Sequence, residues 1–124
     1  MQDKRLTCLG SGALSFDIIT EREYPEGYIK QKTYSDHILL QEAGGACGNL
    51  MSFLSYYGWE TYPIARIDTS LVAKQLIADL NRYGVDTRFI FQHIKNDTPV
   101  IQYRQDTDKK GKRHVINKKF CSDG

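Results

Sequence analysis

The sequence predicts an α/β layer carrying a β appendage, and three observations lead there. Two amphipathic stretches each close on a glycine, short apolar runs alternate with them, and a segment rich in β-branched and aromatic residues precedes the first helix. Leu6 to Leu9 reads as a buried strand running into the Gly10-Ser11-Gly12 loop. The third glycine of a dinucleotide fingerprint would fall at Ser15, and Phe16-Asp17-Ile18-Ile19 looks extended, so that reading fails. From Asp17 to Gln41, Pro25 and Gly27 interrupt strand-forming residues, which predicts a hairpin or irregular strands.

Two glycines, Gly44 and Gly45, then open a helix. Cys47, Leu50, Met51, Leu54 and Tyr57 recur at three- and four-residue spacing, which predicts one apolar stripe facing the core, and Gly58 supplies the stop. Thr61 to Ile67 predicts a second buried strand, and Asp68, Thr69 or Ser70 can cap the helix that follows. Leu71, Val72, Leu76, Ile77, Leu80 and Tyr83 form the expected inward stripe of that helix, ending at Gly84. Arg88 to Ile94 is expected to be extended, Asn96 to Pro99 to turn, and Val100 to Arg104 to alternate as a strand. A polar turn from Asp106 to Gly111 then leads into Arg113 to Asn117.

Composition excludes several classes of function. In a chain of 124 residues with 40% hydrophobic and 26% charged residues, one soluble domain or part of one is expected. A net charge of +2 is no nucleic-acid or membrane signature. Lys109, Lys110, Lys112, Arg113, His114, Lys118 and Lys119 crowd one end, but no aromatic residues interleave with them to stack bases, so a solvated hairpin is the reading. Cys8, Cys47 and Cys121 are an odd count without metal-ligand spacing, as in a reduced cytoplasmic protein, and the scattered histidines suggest no metal site. No run approaches a signal peptide or a membrane span.

The turn at Gly44-Gly45-Ala46-Cys47-Gly48-Asn49 admits two readings. Its glycines bring backbone close to a ligand at a helix N-terminus that favours oxygen-rich partners, or they only permit a tight turn packed on a strand. That stretch, its helix, and Gly84-Val85-Asp86-Thr87 closing the second helix resemble the N-terminal signature of the ribokinase-like carbohydrate kinases, the PfkB family. Leu9 to Asp17 resembles the family's first strand and the loop ending in its sugar-binding aspartate. Thr98-Pro99-Val100 and the Asp106 to Lys112 turn resemble the hairpin of its lid. The resemblance spans essentially the whole chain, in order and spacing.

It implies the N-terminal portion of a three-layer α/β/α core with a small β-sheet lid. Core elements would lie at about 5–16 and 42–95, and the lid at about 17–41 and 98–120. Asp17 would accept hydrogen bonds from sugar hydroxyls, or stand as a surface aspartate. Gly44 and Gly45 would pass close to the sugar and serve as a lid hinge, and Asn49 would offer its amide or point to solvent. Tyr103 and Arg104, on the lid strand, would meet a substrate carboxylate as in sugar-acid kinases, or form an ordinary exposed pair.

Departures qualify this. Asp68-Thr69-Ser70 stands where the family often has Gly-Asp-Asp, and Cys47-Gly48 replaces its usual small or proline-containing pair. The Gly-Ala-Gly-Asp segment that bears the family's anion hole and catalytic aspartate does not occur. The expectation is therefore the substrate-binding and lid portion of an ATP-dependent sugar or nucleoside kinase, without catalytic residues and inactive alone. ATP and Mg²⁺ would serve the complete enzyme and bind this portion weakly. A sugar is the implied partner, with pairing of subunits through the lid, and neither nucleic acid nor membrane. The alternative is a non-catalytic polyol-binding or lid-dimerisation module.

Overall fold

A computed structural model describes residues 4–23, 35–107 and 113–120. The chain runs β1 (Thr7–Ser11), β2 (Ser15–Glu23), β3 (Ser35–Gly44), α1 (Gly45–Tyr56), β4 (Glu60–Ile67), α2 (Leu71–Arg82), β5 (Ile90–Gln92), β6 (Val100–Thr107) and β7 (Arg113–Phe120). Two sheets result. One is parallel, in the order β1-β4-β5, and the other is mixed, in the order β3-β2-β6-β7. This is the predicted α/β layer with its β appendage, and the β2–β3 hairpin falls where β-branched and aromatic residues predicted extended chain.

Both crossovers in the parallel sheet step in the same direction along it, β1 to β4 through α1 and β4 to β5 through α2. Right-handed connections of that kind place both helices on one face. That face carries the core: Met51, Ile67, Leu76 and Leu80 are almost wholly buried, with Cys47, Val85 and Ile90 around them. Gly10 of β1 faces α1 so closely that a Cβ there would stand 3.0 Å from Met51 Cε. The first glycine of the Gly-x-Gly loop therefore makes room for a helix. On the opposite face of the sheet, Leu9, Ile64 and Phe91 are exposed.

Both helix stops follow one pattern. Gly58 and Gly84 adopt left-handed φ values of 88° and 86°. Gly84 N–H donates to Asn81 O, and Val85 N–H reaches back to Leu80 O, each at 3.0 Å. Gly58 and Trp59 do the same to Ser55 and Leu54 at 3.0 and 3.1 Å. These are Schellman closures, which only glycine makes without a Cβ penalty. At the start of α2, Ser70 proves to be the cap, accepting from Ala73 N–H at 3.2 Å.

The helix stripes require correction. In α1 the buried residues are Cys47, Gly48 and Met51, while Leu50 and Tyr57 are exposed. Gly48 sits under Leu14, where a Cβ would be 3.4 Å from Leu14 Cδ2, and this close approach turns the Cys47–Met51 side inward and Leu50 outward. In α2, Ala73, Leu76, Asp79 and Leu80 are buried, whereas Leu71 and Tyr83 are exposed. Leu71 opens the helix ahead of its first inward turn, and small Ala73 takes the place against the core. The extended stretch expected from Arg88 to Ile94 forms ladder pairs only at Ile90–Gln92. Cys121 and the turn at 108–112 lie outside the described residues.

Candidate functional site at the junction of the two sheets

Asp17 lies on β2, the central strand linking both halves of the mixed sheet, opposite Glu42 of β3 and Ile101 of β6. Two residues earlier on the same strand, and so on the same face, stands buried Ser15. Its Oγ donates to Asp17 Oδ1 at 2.6 Å. The carboxylate is thereby held over Gly44, and a Cβ on that glycine would lie 2.0 Å from Oδ2. Gly44 has extended backbone, φ −147°, so it is the space above it, not its conformation, that excludes a side chain.

Gly45 is constrained twice. Its φ is +83°, and a Cβ would come within 2.4 Å of Ala13 O. Ala13 O also accepts from Cys47 N–H at 3.0 Å, so one amide of the α1 N-terminus is taken by the protein itself. Asn49 is exposed and lies one helical turn beyond Gly45, on the same side of α1. By register Tyr103 pairs with Ile19, which shares the face of Asp17, and Arg104 pairs with Thr20, on the other face. The structure thus gathers Asp17, Gly44 and Gly45 tightly, sets Asn49 nearby on α1, puts Tyr103 farther along the same sheet face and Arg104 on the reverse one.

A cavity of about 330 Å³ opens where β1 and β4 end, lined by Ser11, Gly12, Leu14, Arg66, Asp97 and Pro99; Asp17, Gly44, Gly45, Asn49, Tyr103 and Arg104 are not among its lining residues. Ligands of open α/β sheets bind at this carboxyl end of the strands. The approach to β6 forms its outer wall and is braced to the core. Phe16 N–H donates to Pro99 O at 2.9 Å. Thr98 Oγ1 donates to Asp68 Oδ1 at 2.7 Å, and Asp68 Oδ1 also accepts from Ser70 N–H at 3.0 Å and Ser70 Oγ at 2.5 Å. Burial works against the charge on Asp68, but these donors from Ser70 and Thr98 outweigh it and hold the carboxyl below its ordinary range. Burial, with Cys8 nearby, pushes the Cys47 thiol up. Among the described residues no group of His, Cys, Asp and Glu could hold a metal ion, and no helix is long and apolar enough to cross a membrane.

The structure adds two residues to those the sequence points to, Ser15 and Asp79. Ser15 carries a signal, since a serine two positions before a strand aspartate shares its face. Asp79 hides in the apolar stripe of α2. Its Oδ2 accepts from Ala43 N–H at 3.1 Å and its Oδ1 from Gln75 Nε2 at 3.1 Å.

No protein-family model matches the chain, and no curated protein matches it significantly. Solved structures do match. A carbohydrate kinase from Agrobacterium tumefaciens superposes with a TM-score of 0.68 at 19% identity, over 91% of this chain and 35% of that one. Fructokinase from Xylella fastidiosa gives 0.64 at 20% identity, over 90% of this chain and 31% of its own. Ribokinase from Arabidopsis thaliana, solved with ribose and ATP, gives 0.61 at 19% identity, over 92% and 35%. The chain spans about a third of the length of these structures. Its fold is that of a portion of a ribokinase-like sugar kinase.

Proposed function

We propose that the chain is the substrate-binding and lid-bearing part of an ATP-dependent kinase that phosphorylates a hydroxyl group of a carbohydrate or nucleoside. The supporting observation is the Ser15–Asp17–Gly44 arrangement. Ser15 occupies one carboxylate oxygen, and no described residue donates to Oδ2, which is left for a hydroxyl donor at the edge where core meets lid. The missing side chain at Gly44 leaves room for the Asp17 carboxylate to lie over the backbone, and Asn49 adds an amide one turn beyond Gly45. Tyr103, farther along the sheet face of Asp17, would border the site from the lid, while Arg104, across the sheet, would reach substrate only from the lid's margin.

In this reading Asp17 binds and orients the sugar without taking its proton. ATP supplies the phosphoryl group in the complete enzyme, and Mg²⁺ neutralises its charge. No residue of this chain is assigned to either, nor to the anion hole, so the part alone is inactive. The exposed face of the parallel sheet at Leu9, Ile64 and Phe91 fits this, because parallel sheets are covered on both faces. Subunits would pair through β3, an edge strand with exposed Ile38, Leu39 and Leu40.

The test is a thermal-shift panel of ribose, fructose, sugar acids and nucleosides, with Asp17→Ala as control, alongside the coding sequence downstream of Gly124. A sugar-dependent rise in melting temperature that Asp17→Ala abolishes, and a Gly-x-Gly-Asp segment within the following couple of hundred codons, are expected. A panel without any shift, or a stabilisation that persists in Asp17→Ala, would sink the site.

A further inference from the structure

The inward face of α2 carries a carboxylate where packing alone would place an apolar side chain. Asp79 is only 3% exposed. A buried carboxylate is costly to desolvate, and replacing buried ionic groups with apolar ones of similar size is often neutral or stabilising. Its partners show what the charge holds. Beyond Gln75, and Arg82 at 3.4 Å on its own helix, Asp79 reaches out of α2 to a single backbone group, Ala43 N–H. Ala43 is in β3, an edge strand whose sole ladder partner among the described residues is β2. One residue earlier, Glu42 Oε2 accepts from Tyr83 Oη at 3.3 Å, so the last turns of α2 grip two consecutive residues of the lid strand. The next residues are Gly44, under Asp17, and Gly45 with its left-handed backbone.

We propose that Asp79 is a positioning residue that fixes the lid strand at its hinge, so that α2 sets where Asp17 and Gly44 stand for the substrate; this rests on the sugar-site reading above. A rigid bond immediately before two glycines confines lid movement to Gly44–Gly45. Without it the pivot spreads back along β3, and the carboxylate above Gly44 loses its register with the core.

Asp79→Leu, which restores apolar packing but accepts no bond, and the near-isosteric Asp79→Asn test this in the full chain. Backbone amide resonances and hydrogen exchange are read for residues 40–45 and for the core positions Ile67, Leu76 and Leu80, and D-fructose and D-ribose serve as binding probes. Loss of a bond to a charged group should speed exchange at Ala43 about tenfold or more in Asp79→Leu, and move its amide resonance upfield, while the core amides keep their protection. Affinity for whichever probe binds the wild type should fall in Asp79→Leu and be largely kept in Asp79→Asn, whose Oδ1 can still accept from Ala43 N–H. Exchange at Ala43 in Asp79→Leu that is unchanged, or that rises in step with the core, overturns the proposal, as does wild-type affinity in that variant. If Asp79→Leu fails to fold, Asp79→Ala, which also accepts no bond, decides by the same readings. A wild type that binds neither probe counts against the sugar site, whereas the exchange pattern still decides whether Asp79 holds the hinge.

Discussion

The carboxylate of Asp17 occupies the volume that a side chain on Gly44 would need, with Oδ2 2.0 Å from the position of a Cβ there. The two residues are therefore a single unit, and substituting one acts through the other. Gly44→Ala leaves an extended backbone that alanine adopts freely, so the fold should survive, but Asp17 must swing away from Ser15. Binding of a sugar ligand should weaken about 10- to 100-fold, the worth of hydrogen bonds to a charged group. Calorimetric titration of Gly44→Ala against wild type, with circular dichroism to confirm the fold, checks this.

Gly45→Ala should behave in the opposite way. Here the φ of +83° penalises any Cβ, and the clash is with backbone, Ala13 O at 2.4 Å, which cannot rotate aside. A loss above about 2 kcal/mol is expected, a fall of roughly 10 °C in melting temperature for a domain of this size. A thermal melt of the two alanine variants side by side separates a glycine kept for space above it from one kept for its backbone.

The Asp68 cluster predicts a pH-dependent contribution to stability. Its folded-state carboxyl titrates below the ordinary value, so its stabilisation is present above the unfolded pKa of about 3.9 and is lost as pH falls through the folded one. Thr98→Val removes one of the donors responsible. The variant should melt about 4 °C below wild type at pH 7, for a loss of about 1 kcal/mol, and the gap should narrow as pH falls below about 3.9, leaving the part due to the lost bond from Asp68 N–H to Thr98 Oγ1. A constant gap from pH 7 to pH 2.5 contradicts this account.

Alkylation should distinguish two of the cysteines. Cys47 is buried, and burial keeps its thiol protonated, while Cys8 is partly exposed. Peptide mapping after brief iodoacetamide treatment at pH 7.5 should find Cys8 modified well ahead of Cys47, and comparable labelling of both would mean that the α1–β1 seam opens readily.

Much of the fold could be read from the chain because glycine carries conformation unambiguously. Gly58 and Gly84 ended the helices where expected, and the strands around them followed from short apolar runs. Which helix face is buried was harder to read. Periodicity counts apolar residues but not neighbours, so it favoured Leu50 and Tyr57 over Gly48, whose value lies in the close approach of Leu14. The same blindness hid Asp79, since a polar residue in an apolar stripe looks like an interruption until its partner, 36 residues away, is known. Asp17 and Gly44 could be named as neighbours only through the family resemblance. Nothing in their local sequence says that β2 and β3 pair Ser15 with Gly44.

The parallel pairing of β2 with β6, Phe16 opposite Val100, also dictates an order of assembly. Everything between them, β3, α1, β4, α2 and β5, must be synthesised before the mixed sheet can close, whereas β1, α1 and β4 become neighbours early. Closing the longer loop costs more chain entropy before any contact repays it. A nascent chain would thus consolidate its helical layer first, and the strand bearing Asp17 would wait, half paired with β3, until the β6–β7 hairpin left the ribosome.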